Sequence, residues 1–573
     1  MMKCTSASRR AERFPFRSLQ VLPVLFCLLV PGTGHAQPRT NRSDIAIKQI
    51  GIVNGPSVRI RRDPSSGNLY ILQNNGIIRR VDLGTADTAS FTTVYQSSDH
   101  GLGAPLGMAF GLDGTIYLVG NDSTGVIGTA RIVKGARDIA GSDHRTWSLL
   151  AETVPFPYGN VYNHRMSGIV VNLHGDSLYV NSGAATDHGE LRDGNREVGL
   201  TSVILKLPVN GQNITLPDNR DSLRSLGYLL AEGNRNTFDF AYAGNGDLFG
   251  VDNSGDRDDP DEMNWIREGH HYGFPWRMGQ DNTPQQFTPY APKSDPLLNS
   301  HAWGGGNLYA TFSNDPGYPH PPDSVTFTDP VLSHGPDADK FRDTLTGTVK
   351  DASDLGLTIP TFTSHRSPDG IVFDRDSVLA GDLMGGAFVI CLATGVPLTA
   401  LGDDSQDLLH VALTKVGDHY EAQVTKLVTG FNSPLGIELV GNKLFVMETG
   451  LEAFNPAPKL WEIVLPKKAV TSVNHQQELL NTFALLQNYP NPFNPATAIT
   501  FSVPVNGPVQ LSVYSVLGQP VRTLLSGNVA AGSHTVQWDG NDSRGRPVGS
   551  GTYFYRFSSP SGYTATMRMI LLR

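Results

Sequence analysis

The feature that most restricts how this chain can fold is a unit repeated between Gly51 and Leu465. Each copy has a turn with Pro or Gly, an apolar strand, a short Gly/Asp turn, a second apolar strand with an aromatic, and a third strand. Six copies begin at Gly55-Pro56, Ala104-Pro105, Ser167-Gly168, Arg235-Asn236, Ser367-Pro368 and Ser433-Pro434. Second strands are legible as Leu69-Tyr70-Ile71, Ile116-Tyr117-Leu118, Leu178-Tyr179-Val180 and Leu444-Phe445-Val446. Regular repetition of small antiparallel sheets predicts an all-β fold, a six-bladed β-propeller. Helical periodicity is scarce, and 61 Gly and 38 Pro supply the turns. The interval from the fourth copy to the fifth is longer than the rest. Arg277 to Pro360 therefore reads as long inter-blade loops with some added strand, or as room for a degenerate seventh blade.

The tail differs. Period-two segments Thr497–Val503, Val509–Val516, His534–Trp538 and Thr552–Phe557, separated by Gly turns, predict a small immunoglobulin-like β-sandwich. The expected organisation is a propeller over 40–466, a polar linker over 467–486 and the sandwich over 487–573. The Asn488-Tyr489-Pro490-Asn491-Pro492-Phe493-Asn494-Pro495 start, Gly532 to Gly540, Ser550-Gly551-Thr552-Tyr553-Phe554-Tyr555 and the terminal Met569 to Arg573 closely resemble type IX secretion sorting domains. That resemblance implies export through the periplasm and across the outer membrane by the type IX secretion machinery, often with removal of the tail. The alternative for the tail is a carbohydrate-binding sandwich.

At the other end, Arg9, Arg10, Arg13 and Arg17 precede an apolar run from Val21 to Val30, which closes on Gly34-His35-Ala36. This pattern predicts a secretory signal peptide over 1–36, since the run is too short to span a bilayer and no later segment comes close. A secreted or cell-surface protein with no transmembrane segment after cleavage is expected. Cys4 and Cys27 leave with the leader, so the mature chain has no intrachain disulfide, and Cys391 reads as a buried strand thiol. Removing 1–36 takes away five basic residues and one acidic one, so the net charge moves from −9 to −13. An acidic chain without a basic patch excludes a nucleic-acid partner and leaves small neutral or cation-requiring ligands.

Chemistry concentrates between Arg235 and Trp276. Phe238, Phe240 and Tyr242 alternate with smaller or polar residues, Asn245-Gly246 turns the chain, and Leu248, Phe249 and Val251 return, so a hairpin presents the following loop. That loop holds Asp252, Asp256, Asp258, Asp259, Asp261 and Glu262 with Asn253, Ser254 and Gly255, hard oxygen donors at the density a calcium site needs but without EF-hand spacing. The alternative is an acidic, solvated surface loop. A second loop, Asn181 to Leu191, offers Asp187, His188 and Glu190, a trio able to bind a metal or position a substrate.

Arg235-Asn236, Gly246-Asp247-Leu248-Phe249, the acidic loop from Asp252 to Asn264, and Gly269-His270-His271-Tyr272-Gly273-Phe274-Pro275 resemble the signature of soluble quinoprotein glucose/sorbosone dehydrogenases. The resemblance implies His164 as the base that takes a sugar hydroxyl proton, an assignment that suits imidazole, which titrates near neutral pH. It implies Arg235 and Asn236, with His188, as cofactor-binding residues, a guanidinium being well shaped for the carboxylates of pyrroloquinoline quinone. It implies calcium held by Asn253, Ser254 and Gly255, and a further calcium site at Asp261 and Glu262. For His164 the alternative is an imidazole bonded to backbone at the blade mouth, and for Arg235 it is pairing with the adjacent acidic loop. The sequence departs from the family where a lysine is expected, at Met384, and where paired arginines are expected, at Gly430 to Leu435. Two functions follow: a secreted, calcium-assisted, quinone-dependent sugar dehydrogenase, or a non-quinone propeller that binds carbohydrate or acts as a calcium-dependent lactonase or hydrolase.

Overall fold

The computed structural model describes residues 37–84, 88–138, 143–157, 164–192, 194–298, 312–393, 396–450, 458–468, 483–488, 490–560 and 563–572. The leader expected at 1–36 and most of the linker lie outside the described residues. The chain divides into two compact units, 1–468 and 469–573.

Among the described residues the first unit carries six sheets of three or more strands in chain order. The first is Ser57–Arg62, Leu69–Gln73, Ile78–Leu83 and Ala89–Tyr95. The second is Pro105–Phe110, Ile116–Thr124, Ile127–Arg137 and Arg145–Thr153, extended by Ile214–Leu216. The third is Ile169–Val171, Ser177–Ser182, Val203–Pro208 and Leu229–Glu232, and the fourth is Thr237–Tyr242, Leu248–Asp252 and Glu262–Ile266. The fifth is Pro368–Phe373, Ala387–Cys391, Asp407–Val416 and His419–Thr429, widened by Leu332–Pro336 and Ile359–Pro360. The sixth is Pro434–Val440, Lys443–Glu448 and Lys459–Val464, completed by Ala46–Ile52 from the start of the chain, with Ala46 opposite Val464 and Ile52 opposite Lys459. The first strand of each sheet touches the first strand of the next, and that of the sixth touches that of the first, so the six form a closed ring. This is a β-propeller arrangement. The described part of 277–360 forms two short ribbons and the two strands added to the fifth sheet, so the added-strand expectation for this interval describes it and no separate sheet of three strands stands there among the described residues.

Strand sequences explain the ring. Side chains alternate across a strand, and here both faces are apolar. Ile116 and Leu118 pack towards the first sheet with Val58, Tyr70 and Leu72, while Tyr117 and Val119 pack towards the third with Leu178, Val180 and Leu205. Equivalent buried clusters lie between the third and fourth, fourth and fifth, fifth and sixth, and sixth and first sheets. Burying one Leu or Val side chain at such a contact contributes about 1.5–3 kcal/mol.

A bulge falls just after the start of the inner strand in five of the sheets. The residue after the bulge is Gly107, Gly370 and Gly436 in the second, fifth and sixth sheets, but Arg59 in the first and Asp239 in the fourth. Glycine permits close approach: a Cβ on Gly107 would lie 2.1 Å from the Ser167 carbonyl oxygen. The two exceptions stand opposite each other in the ring and bridge it. Arg59 donates to the Phe238 carbonyl and lies 4.0 Å over the Phe238 ring, and Arg61 forms an ion pair with Asp239.

The second unit packs the sheet Ala484–Leu485, Thr497–Val503 and Gly532–Trp538 with the sheet Pro520–Val529, Gly507–Ser515, Gly551–Ser558 and Thr564–Leu571. Its core includes Phe501, Trp538, Tyr555 and Phe557, all buried. Among the described residues of the whole chain, no helix is long and apolar enough to cross a membrane.

Candidate functional site

Three segments meet at the start of the inner strands of the third and fourth sheets. His164 precedes Ile169–Val171, the 183–190 loop follows Ser177–Ser182, and Arg235 precedes Thr237–Tyr242. They are sewn together through backbone: the His164 amide donates to the Ala184 carbonyl at 2.8 Å, and the Ala184 amide donates to the Arg235 carbonyl at 2.7 Å. Gly183 allows this, since a Cβ there would lie 2.5 Å from the His164 Cβ.

Arg235 is buried at the centre. Its Nε donates to the Asp187 carbonyl at 2.8 Å and its Nη2 to Asp187 Oδ1 at 2.7 Å. Its Nη1 donates to the carbonyls of Asn253 at 3.1 Å and Ser254 at 2.7 Å. Gly255 completes the fit, because a Cβ there would stand 3.1 Å from the Asp187 carboxylate oxygens. Burial alone would raise the Asp187 carboxyl, but Arg235 and His188 hold it below the usual carboxylate range. Asn236 is buried beside Arg235, its amide donating to Asp252.

His164 is half-buried, and its Nδ1 has no hydrogen-bond partner among the described residues. Burial, then the charge of Arg235, pushes its pKa well below the ordinary histidine value, so the imidazole is neutral at pH 7 and able to accept a proton. His188 is fixed differently. Its ring stacks on Phe312 at 3.7 Å between centroids, its Nδ1 lies 3.1 Å from Asp187 Oδ2, and its buried Nε2 is unpartnered. Burial opposes its charge, but Glu190 and Asp187 outweigh that and raise its pKa.

The acidic loop is buried, not solvated. Asp256 is pushed up to about 8 by burial and by Asp187, and its carboxylate makes no hydrogen bond among the described residues. Asp258 accepts from Arg342 Nε at 2.6 Å and faces His365 Nε2 at 2.8 Å, which keeps it ionised despite burial. Asp261 accepts from the Ser254 amide and hydroxyl at 2.8 and 2.6 Å and from the Ser367 amide at 2.9 Å. Glu262, the next residue along the strand, points to the opposite face, where it stands across from Asp252 and accepts from Asn264 at 2.7 Å. Burial and Asp252 raise Glu262 to about 8, and burial raises Asp252 to about 6. Asp261 and Glu262 therefore serve two different pockets of charge.

The sequence did not point to His365, Ser367, Arg366, Asp369 or Arg59. His365 and Ser367 sit in the left-handed region, with φ of 64° and 55°, conformations that a non-glycine residue holds only when its surroundings impose them. Asp369 accepts from Asn253 Nδ2 at 3.1 Å and Ser367 Oγ at 2.9 Å, and burial pushes it up to about 7. A signal existed for Arg59 alone, as a charged residue at a register position occupied by glycine in other repeats.

Residues 60–304 match the Glucose / Sorbosone dehydrogenase family model. His164, His188, Arg235 and the acidic loop all fall inside that stretch, whereas Met384 and the fifth and sixth sheets fall outside it. Residues 494–562 match the FlgD Ig-like domain model. No curated protein matches the chain. Among solved structures, the chain is similar to the PQQ-bound aldose sugar dehydrogenase of Streptomyces coelicolor, with 16% identity over 74% of this chain and 99% of that one and a TM-score of 0.44. The pyranose dehydrogenase PQQ domain of Coprinopsis cinerea gives 14% identity, 76% and 98% coverage and a TM-score of 0.48. A gluconolactonase from Xanthomonas campestris gives 9% identity, 77% and 100% coverage and a TM-score of 0.36.

The residues present fit a cation. The Asn253 and Ser254 carbonyls converge on a positive group already, the Arg235 guanidinium, and the neighbouring Asp256 carboxyl, held in its protonated form by burial and Asp187, is one whose ionised form a cation would favour. Among the described residues no three His, Cys, Asp or Glu side chains are arranged to hold a metal, so a cation here would rely on backbone oxygens. The same residues do not fit a tricarboxylate quinone. Arg235 is committed to Asp187, Arg366 to Asp403 and Asp407, and Arg59 to Phe238, while Met384 is 48% exposed on its turn and carries no charge.

Proposed function

We propose that this chain is a secreted, six-bladed, sugar dehydrogenase-like propeller acting on a carbohydrate, with His164 as the base beside a calcium ion held by the Asn253, Ser254 and Gly255 segment. The supporting observation is one juxtaposition: a carbonyl pair that binds the positive charge of Arg235, and an imidazole that burial and that same charge keep neutral. Hydrolysis of a sugar lactone needs only these parts. His164 takes a proton from water, the water oxygen bonds to the lactone carbonyl carbon, the ring C–O bond breaks, and the leaving alkoxide regains the proton from His164. Bound at the carbonyl pair, calcium would supply charge stabilisation to the developing oxyanion. Arg235, anchored by Asp187, keeps the His164 segment in register through Ala184.

The family match favours a second reading, oxidation of a sugar hydroxyl with His164 accepting the hydroxyl proton. The committed state of Arg235 and Arg366 weighs against the quinone that such an oxidation uses. We read the tail as a type IX sorting domain, so that deleting 487–573 should strand the protein in the periplasm.

The test is a paired assay on the purified chain lacking residues 1–36. A panel of aldonolactones is offered in calcium and in chelator, and a panel of aldoses with pyrroloquinoline quinone and a redox dye. Calcium-dependent lactone opening supports the first reading. Dye reduction with quinone retained after desalting replaces it with the second, and no turnover in either arm overturns the carbohydrate reading.

A further inference from the structure

The cation site is not vacant of charge in its own right: one of the chain's residues stands in it. We infer that the Arg235 guanidinium is a built-in occupant of the Asn253–Ser254 carbonyl pair, and that a divalent cation must displace it to bind. The inference rests on the calcium reading above and deepens it.

The geometry leaves one place for both. Nη1 takes both carbonyl oxygens, at 3.1 and 2.7 Å. Calcium needs the same oxygens at about 2.3–2.6 Å, a distance at which an N–H group between them has no room. The remaining bonds of Arg235 show where it goes. Nε and Nη2 are both held by Asp187, and because the guanidinium is a rigid plane, freeing Nη1 swings the whole group about Asp187 and gives up at least one of those two bonds. Asp256 lies beside Asp187, its amide 3.2 Å from both Asp187 carboxylate oxygens, and its own carboxylate is unbonded among the described residues. The guanidinium can therefore swing as a unit from the carbonyls towards the Asp256 carboxyl as the metal takes the oxygens.

Two consequences follow. The site selects for charge: a monovalent ion brings no more charge than the guanidinium it must replace, whereas a divalent ion brings twice as much. The site is also tuned to be weak, since part of the binding free energy goes into moving Arg235.

The experiment is thermal melting of the chain lacking 1–36 against free calcium, at constant ionic strength, for the parent, Arg235→Gln, and the double variant Asp187→Asn/Arg235→Gln. The double variant removes the carboxylate that the single one leaves bare, and it decides the question by itself if the single variant does not fold. The expected result is a half-maximal calcium concentration about tenfold lower in the variants, because no guanidinium has to be moved off the carbonyls before the metal binds. Potassium should shift none of them. A half-maximal concentration equal to or higher than the parent's overturns displacement and leaves calcium binding standing, with Arg235 as an organiser of the carbonyls. Absence of any calcium response in all three chains overturns the calcium reading and displacement with it.

Discussion

Two of the propeller's buried ionic clusters are balanced in opposite ways. At the edge of the fifth sheet Arg366 pairs with Asp403 and Asp407, and Lys426 lies 3.1 Å from Asp403 and 3.7 Å from Asp407. Two cations meet two carboxylates, and Asp403 is held below the usual carboxylate range in spite of burial. Around Arg235 the carboxyls outnumber the cations: Asp187 is matched by Arg235, but Asp256 and Asp369 rise to about 8 and 7, so burial favours their protonated forms. Similar burial with a different balance of carboxyls and cations separates the two clusters.

Four measurements sharpen or break that contrast. His164→Ala should lower kcat on the substrate identified above by about 10²- to 10⁴-fold while the melting temperature barely moves, as expected for loss of a general base. An equal fall in melting temperature would make His164 structural. Arg366→Met should destabilise by about 3–5 kcal/mol in denaturant unfolding, because it strands buried carboxylates. Loss of less than about 1 kcal/mol would remove the distinction between the clusters. Asp256→Asn should leave stability in chelator unchanged or higher and weaken the calcium-dependent gain, which is about 2.7 kcal/mol at a hundredfold excess over Kd. A large loss in chelator would show that Asp256 is a structural partner after all.

The smallest effect concerns pH. Glu438 is raised from 4.5 to about 7, by burial against the opposing pull of Arg61. A carboxyl that holds its proton more tightly when folded favours the native state at low pH, and that contribution fades as pH rises from about 4.5 to 7. Glu438→Gln should flatten this part of the melting profile, raising the melting temperature at pH 8 and changing it little at pH 4. Parallel profiles for the two chains would exclude Glu438 as the source.

Much of the fold was legible because it is local. Each predicted repeat start lies within two residues of an inner strand, from Ser57 to Pro434, since Pro or Gly turns followed by doubly apolar strands leave few alternatives. The Ala46–Ile52 strand was not legible as a partner of Lys459–Val464, because nothing in seven residues encodes a pairing with the far end of the unit. At the site, His164, Arg235 and Asn253 to Gly255 were named from motif resemblance, and the structure brings them together. What the motif did not convey was the direction of the Arg235 bonds, a matter of three-dimensional packing. His365 and Asp369 were missed for the related reason that isolated polar residues at a strand start look the same whether they face solvent or a buried acid.

The pairing of Ala46–Ile52 with Lys459–Val464 also sets a timetable. At roughly 5–20 residues per second, the ribosome needs roughly 20–80 s after making the first of these strands before its partner exists. For that time the first strand is an unprotected edge, available to any other extended segment. A chain built this way is best kept open until synthesis is finished.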